Sequence, residues 1–195
     1  MFKFALTGNP LGHSLSSIIH NEILKIKNIK GDYVLKPTDN LSKSFKEDLS
    51  KLNGFNITIP YKKDIIEFLD YKSDKVELYS SCNTVKIENG KASGYNTDVY
   101  GILDTLKKNS IDVKGKKVLV SGNGGVSSMM ACEMALLGAD VYITGRNKEK
   151  CEKLISDIYN KTGRQVKFIK KEDVGEFYLY MQGTPCGMYP EAQAS

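Results

Sequence analysis

Lys62 and Asp98 are the pair of side chains in this sequence best suited to moving a proton. Lys62 closes the run Gly54-Phe55-Asn56-Ile57-Thr58-Ile59-Pro60-Tyr61-Lys62, and Asp98 closes Gly94-Tyr95-Asn96-Thr97-Asp98. An amine beside a carboxylate can take a proton from a hydroxyl, or return one to a carbonyl, while a redox cofactor moves the hydride. The first run reads as a strand. Asn56 and Thr58 share one face of it, because side chains repeat every two residues. Phe55, Ile57 and Ile59 are expected on the opposite, buried face. The polar face then forms a row of hydrogen-bonding groups leading to an ammonium, a grip for a polar small molecule. Each residue also has a plainer account: Lys62 adjoins Lys63 and could be a solvated lysine, and Asp98 could cap a helix. Ser14 and Ser16, spaced to share a side, could bind a ligand, or one of them could serve only as a helix cap.

A second constellation lies at Gly122-Asn123-Gly124-Gly125-Val126-Ser127, between a predicted strand and a predicted helix. A glycine pattern gains meaning from that placement. Gly122 permits a tight turn, Gly124 lets backbone approach a pyrophosphate, and the helix N-terminus offers N–H groups to the phosphates. Ser127 stands where a dinucleotide fingerprint usually has a third Gly or Ala. The alternative is a strand-to-helix turn with no ligand. At the end of the next strand, an NAD site usually carries an acidic residue for the ribose 2′-hydroxyl. Here the sequence is Thr144-Gly145-Arg146-Asn147-Lys148-Glu149-Lys150. Arg146, with Lys148 or Lys150, suits a 2′-phosphate and therefore NADP.

These groups need elements to hold them. In the first half, strands are predicted at Phe2–Thr7, Tyr33–Leu35 and the Gly54 run. Helices are predicted at Ser16–Lys27, with Ile18, Ile19, Ile23, Leu24 and Ile26 as its apolar face, at Leu41–Leu52, and briefly at Asp64–Leu69. Thr84–Ile87 and Ala92–Tyr95 flank Asn89-Gly90, a hairpin signal, since both residues tolerate positive φ. The second half reads as strands at Lys116–Ser121, Asp140–Thr144, Gln165–Ile169 and Phe177–Gln182. Helices at Gly125–Leu137 and Lys148–Tyr159 alternate with them, the order of a parallel sheet with crossover helices. A domain boundary is expected near residue 100, within a helix starting at about Asp98. The fold class is α/β, with domains at 1–100 and 101–195.

Composition narrows the function further. Among 195 residues, 41% are hydrophobic and 26% charged, the balance of a globular protein with a real core. The net charge of +5 has no patch or tail of the kind nucleic-acid binders use; residues 1–100 carry 14 Lys/Arg against 12 Asp/Glu. Cys82, Cys132, Cys151 and Cys186 lack metal-ligand spacing, and His13 and His20 lack acidic companions, so no metal is expected. No run approaches the ~18 apolar residues of a membrane span. With no signal peptide at the N-terminus, a cytoplasmic protein is expected.

Taken together, these segments resemble shikimate dehydrogenase. The likeness runs through Gly8-Asn9-Pro10-Leu11-Gly12-His13-Ser14-Leu15-Ser16 with Ile19-His20-Asn21, then Asn56 to Lys62, Asn83-Thr84, Gly94 to Asp98 with Gly101, the glycine turn, and Thr184-Pro185-Cys186-Gly187-Met188. The resemblance implies NADP-linked reduction of 3-dehydroshikimate to shikimate in aromatic amino-acid biosynthesis, by a substrate-binding α/β domain followed by a Rossmann-like NADP-binding domain. It implies that Ser14 and Ser16 bind the substrate carboxylate and that Thr58, Asn83 and Asp98 hold its ring hydroxyls. Lys62 and Asp98 would be the catalytic pair, with Asn56 supporting the strand. Gly122, Asn123, Gly124, Gly125, Val126 and Ser127 would bind the pyrophosphate, and Arg146 and Lys150 the 2′-phosphate. Thr184 and Met188 would border the nicotinamide. Where the family has Asn-Arg-Thr this chain has Gly145-Arg146-Asn147, so the arginine is kept. Members of the family run on beyond the position of Ser195 with further strands, a substrate-binding glutamine and returning helices. The chain is therefore expected to be C-terminally short, its cofactor domain incomplete. The partner is expected to be a small molecule, with the chain a monomer or homodimer. Two alternatives stay open: an NAD-linked quinate/shikimate dehydrogenase, and a non-catalytic shikimate-binding protein.

Overall fold

A computed structural model describes residues 1–187. The chain divides into two compact units, Met1–Asp98 and a second from Val99 onward.

In the first unit, β1 (Phe2–Gly8), β2 (Gly31–Pro37), β3 (Gly54–Ile57), β4 (Tyr71–Lys72), β5 (Thr84–Glu88) and β6 (Lys91–Tyr95) form one sheet in the order β2-β1-β3-β5-β6-β4. β1 runs parallel to β2 and β3, whereas β5 is antiparallel to both β3 and β6. The β5–β6 hairpin turns at Asn89 and Gly90 with φ of 52° and 73°, as Asn-Gly dictates. Alternation along β1 supplies the two cores. Ala5 joins Phe55, Ile57, Ile65, Val85 and Ala92 on one face, and Leu6 joins Leu11, Leu24 and Tyr33 on the other. The carboxyl ends of β1, β3 and β6 lie together with the start of β5, and the loops that leave them carry the polar motifs.

Helix α1 (Ser16–Ile26) departs from the sequence reading. Of its expected apolar face only Leu24 is buried; Ile18, Ile19, Ile23 and Ile26 are exposed. The inward stripe is instead Ser17, His20, Asn21 and Leu24, also at i, i+3, i+4, i+7. Asn21 decides it: its side chain donates to Tyr33 O at 2.8 Å and accepts from Tyr33 N–H at 2.9 Å, while His20 stacks on the Tyr33 ring. Two backbone hydrogen bonds and a ring contact turn the isoleucines outward. Ile59 is likewise exposed rather than buried, because β3 ends at Ile57 and the chain leaves the sheet there. The expected Leu41–Leu52 helix is α2 (Leu41–Glu47) followed by a separate 3₁₀ turn at Leu49–Lys51, interrupted at Asp48. Tyr71–Lys72 and helix α3 (Asp74–Tyr79) had no expectation.

The second unit begins with α4 (Asp98–Lys108), whose first residue belongs to the first unit. There follow β7 (Lys117–Ser121), α5 (Gly125–Leu136), β8 (Asp140–Thr144), α6 (Lys148–Thr162), β9 (Lys167–Phe168) and β10 (Leu179–Gln182). All four strands are parallel, in the order β10-β7-β8-β9. Val118, Val120, Val141 and Ile143 are fully buried, as the central strands of a parallel sheet require. Met129, Met134, Cys151 and Ile158 cover them from the helices. Among the described residues no helix is long and apolar enough to cross a membrane.

Candidate active site

Lys62 and Asp98 meet. Lys62 Nζ donates to Asp98 Oδ2 at 2.6 Å, with both side chains partly open to solvent. The backbone brings them there. Cys82 N–H donates to Lys62 O at 2.8 Å, and the next residue, Asn83, donates its N–H to Tyr95 O at 3.0 Å. The turn carrying Lys62 and the end of β6 are thus fastened to consecutive residues. Asn96, buried at 2% exposure, donates from its side chain to Ser81 O and accepts from Asp98 N–H, fixing the entry to α4.

Asn83 completes the group. Its Nδ2 donates to Asp98 Oδ1 at 2.7 Å and to Thr97 Oγ1 at 3.0 Å, while its Oδ1 accepts from Thr97 N–H and the Thr84 hydroxyl. One oxygen of Asp98 is therefore held by Asn83 and the other faces Lys62. This geometry suits a carboxylate that stays fixed while the neighbouring amine exchanges a proton. Burial pushes the adjacent Cys82 thiol above its ordinary pKa despite Lys62 nearby, which favours its protonated form.

Asn56 sits one strand away, its Nδ2 donating to Thr84 Oγ1 at 3.0 Å and Asn83 O at 3.2 Å. Thr58 is half-buried just past β3, its N–H on Thr7 O. Ser14 and Ser16 form a pair of their own: the Ser14 hydroxyl donates to Ser16 Oγ at 3.1 Å and accepts from Ser16 N–H. That second bond resembles a cap, yet both hydroxyls stay only half-buried. Their loop and the Thr58–Lys62 turn leave the same carboxyl end of the sheet, joined by Asn9 N–H to Ile59 O at 3.0 Å. Sequence reasoning assigned no role to Thr84, Thr97 or Tyr33. Thr84 and Thr97 lie within the short motifs Asn83-Thr84 and Gly94 to Asp98, whereas Tyr33 carries no local signal beyond a strand.

In the second unit, Gly122 turns at φ 105°, and its N–H donates to Thr144 O at 2.8 Å. A Cβ there would lie 2.6 Å from Ser127 Oγ and 3.0 Å from Thr184 Cγ2, so only glycine fits and Thr184 borders the turn. Gly124 and Gly125 are different: a Cβ on either would meet nothing within 4 Å. Their backbone is open, and the first turn of α5 has no side-chain cap. Backbone that is bare and uncapped at a helix N-terminus fits a pyrophosphate. Val126 is exposed beside it, and Asn123 turns toward Cys151. The Ser127 side chain points into the protein: it is fully buried, its hydroxyl directed at Ser121 O and Gly183 O. After β8, Arg146 and Lys150 are exposed around Asn147, which caps α6 by accepting from Lys150 N–H. Lys148 pairs with Glu152 at 3.4 Å, leaving Arg146 and Lys150 as the cations suited to a phosphate. Met188 lies outside the described residues.

Residues 6–85 match the family described as shikimate dehydrogenase substrate binding domain. The chain is 37% identical, over its whole length and 70% of the relative's, to the shikimate dehydrogenase (NADP(+)) of Caldicellulosiruptor bescii. Shikimate dehydrogenase of Aquifex aeolicus superposes with a TM-score of 0.89 at 32% identity, over 98% of this chain and 71% of that one. The Thermus thermophilus enzyme, solved with NADP(H) and shikimate, gives 0.88 at 28% identity, over 100% of this chain and 72% of that one. With the α/β architecture and these matches across both units, the chain belongs to the shikimate dehydrogenase family.

Proposed function

We propose that this protein interconverts 3-dehydroshikimate and shikimate with NADP in aromatic amino-acid biosynthesis, using Lys62 and Asp98 as its proton-transfer pair. The observation that carries this reading is the Lys62–Asp98–Asn83 cluster, in a chain whose relatives are named for that reaction. In the reducing direction Lys62, as ammonium, gives a proton to the carbonyl oxygen as it becomes a hydroxyl. In the oxidising direction the neutral amine takes that proton back. Asp98 holds the amine at the reacting oxygen and offsets its charge. Ser14 and Ser16 bind the substrate carboxylate, and Thr58 and Asn83 hold ring hydroxyls. When bound, the nicotinamide supplies or accepts the hydride. Gly122 to Val126 hold the pyrophosphate through backbone groups, Ser127 supports that turn from below, and Arg146 and Lys150 bind the 2′-phosphate. Thr184 and Met188 border the nicotinamide. The remaining partners are small molecules only, without nucleic acid, for a monomer or homodimer in the cytoplasm.

The test is spectrophotometric turnover of shikimate and of quinate with NADP⁺ and NAD⁺ in parallel. Turnover of shikimate with NADP⁺ is expected. A preference for quinate with NAD⁺ would replace this reading by a quinate/shikimate dehydrogenase, and shikimate binding with no turnover would make the chain a binding protein.

A further inference from the structure

Tyr33 lies on β2, at one edge of the sheet, yet a continuous chain of hydrogen bonds links it to Lys62. The Tyr33 hydroxyl donates to Asn56 Oδ1 at 2.8 Å, and Asn56 Nδ2 donates to Thr84 Oγ1 at 3.0 Å. The Thr84 hydroxyl donates to Asn83 Oδ1 at 3.0 Å, and Asn83 Nδ2 donates to Asp98 Oδ1 at 2.7 Å. Asp98 Oδ2 then receives Lys62 Nζ at 2.6 Å. The direction of each link is dictated by its neighbours. Asn56 Nδ2 also donates to Asn83 O, so its Oδ1 must face the tyrosine, and a phenol facing an acceptor must donate. Thr84 has one hydroxyl proton and already accepts from Asn56; its nearer acceptor is Asn83 Oδ1 at 3.0 Å, with Thr97 Oγ1 farther at 3.4 Å, so it donates onward to Asn83. Asn83 Oδ1 also accepts from Thr97 N–H, which turns its amide NH₂ toward the carboxylate.

The first link is firmly anchored. Tyr33 is 4% exposed, its backbone is held in both directions by Asn21, and its ring stacks on His20 at 4.3 Å. Burial keeps the phenol protonated far above neutral pH, so it remains a donor. Sheet register places the links side by side: Asn56 stands opposite both Leu6 and Thr84 on the face that Tyr33 shares.

We propose that Tyr33 is a positioning residue for the reaction, its hydroxyl fixing the amides of Asn56 and Asn83 and through them the carboxylate of Asp98. This rests on the dehydrogenase reading above. Since each link has one polarity, loss of the first donor leaves Asn56 Oδ1 without that partner and the amide held through Nδ2 alone, which loosens the links beyond it. A residue that served only to fill the core would act through packing, which phenylalanine preserves.

The test compares wild type, Tyr33→Phe, Asn56→Ala and the double variant in NADP-dependent shikimate oxidation, with Tm measured for each. Tyr33→Phe is expected to lower kcat about 3- to 10-fold, the worth of one ordinary hydrogen bond, with little change in KM for shikimate. In the Asn56→Ala background the same change is expected to have no further effect, because the path is already cut. Thr84→Val, which breaks a later link, is expected to lower kcat in the same way and to be equally non-additive with Tyr33→Phe. An active wild type whose kcat is unchanged by Tyr33→Phe would overturn the proposal alone. So would an effect that persists in full without Asn56. An inactive wild type would remove the dehydrogenase reading, and this proposal with it.

Discussion

Lys62 Nζ and Asp98 Oδ2 lie 2.6 Å apart across a separation of 36 positions, and Asn83 holds the other carboxylate oxygen at 2.7 Å. The pair is a product of sheet topology. β5 and β6 form a hairpin whose open end faces the carboxyl end of β3, so three loops distant in sequence share one edge.

Asn83 is the residue whose loss should affect this site most for its size. It is 8% exposed and serves Thr97 N–H, Thr84 and Asp98 at once. Asn83→Ala is expected to destabilise the protein by about 1–3 kcal/mol, since buried partners lose their hydrogen bonds. Urea unfolding measures that cost. Steady-state kinetics on the folded variant should show a lowered kcat together with a raised KM.

The glycine turn separates a structural role from a ligand role. Gly122→Ala places a Cβ against Ser127 Oγ at a φ of 105° and is expected to cost about 1–3 kcal/mol of stability. Gly125→Ala meets nothing in the protein and should leave Tm near wild type while weakening NADP⁺. Thermal melts with and without NADP⁺ distinguish the two.

Arg146 bears on cofactor choice. A charge-assisted hydrogen bond to a phosphate is worth about 1.5–3 kcal/mol. Arg146→Ala is therefore expected to raise KM for NADP⁺ by roughly 10- to 100-fold and leave that for NAD⁺ nearly unchanged. Equal effects on both cofactors would place the arginine away from the 2′-phosphate.

His20 gives stability a pH dependence. Burial lowers its pKa from the ordinary 6.5, so the folded state favours the neutral ring. The unfolded chain then binds the proton more readily, and the contribution is complete above 6.5 and lost as pH falls toward the lowered value. His20→Phe keeps a ring to stack on Tyr33 and should flatten this part of the urea-midpoint profile.

How much of this was readable beforehand differs residue by residue. The hairpin at Asn89-Gly90 and the alternation of strand and helix after Gly115 were legible because turn chemistry and hydrophobic period are local properties. Lys62, Asn83 and Asp98 were legible as members of short motifs. The orientation of α1 was not: two stripes at the same spacing competed, and the polar one faces inward because Asn21 pairs with the backbone of Tyr33. Apolar count alone favours the other face. Ile59 misled for a related reason, since alternation continued in the sequence after the strand had ended at Ile57. Ser127 stands where the fingerprint usually has a third Gly or Ala, and its hydroxyl ties β7 to the end of β10, a contact the local sequence does not signal. The Tyr33–Asn56 bond joins positions 23 apart on different strands, a contact that only register reveals.

The most direct test of the account is Lys62→Ala, assayed for NADP-dependent shikimate oxidation beside a calorimetric titration with shikimate. Loss of a positioned acid–base group is expected to reduce kcat about 10²- to 10⁴-fold, with shikimate binding only modestly weakened. Turnover equal to wild type in that variant would contradict the assignment of Lys62 and Asp98 as the proton-transfer pair.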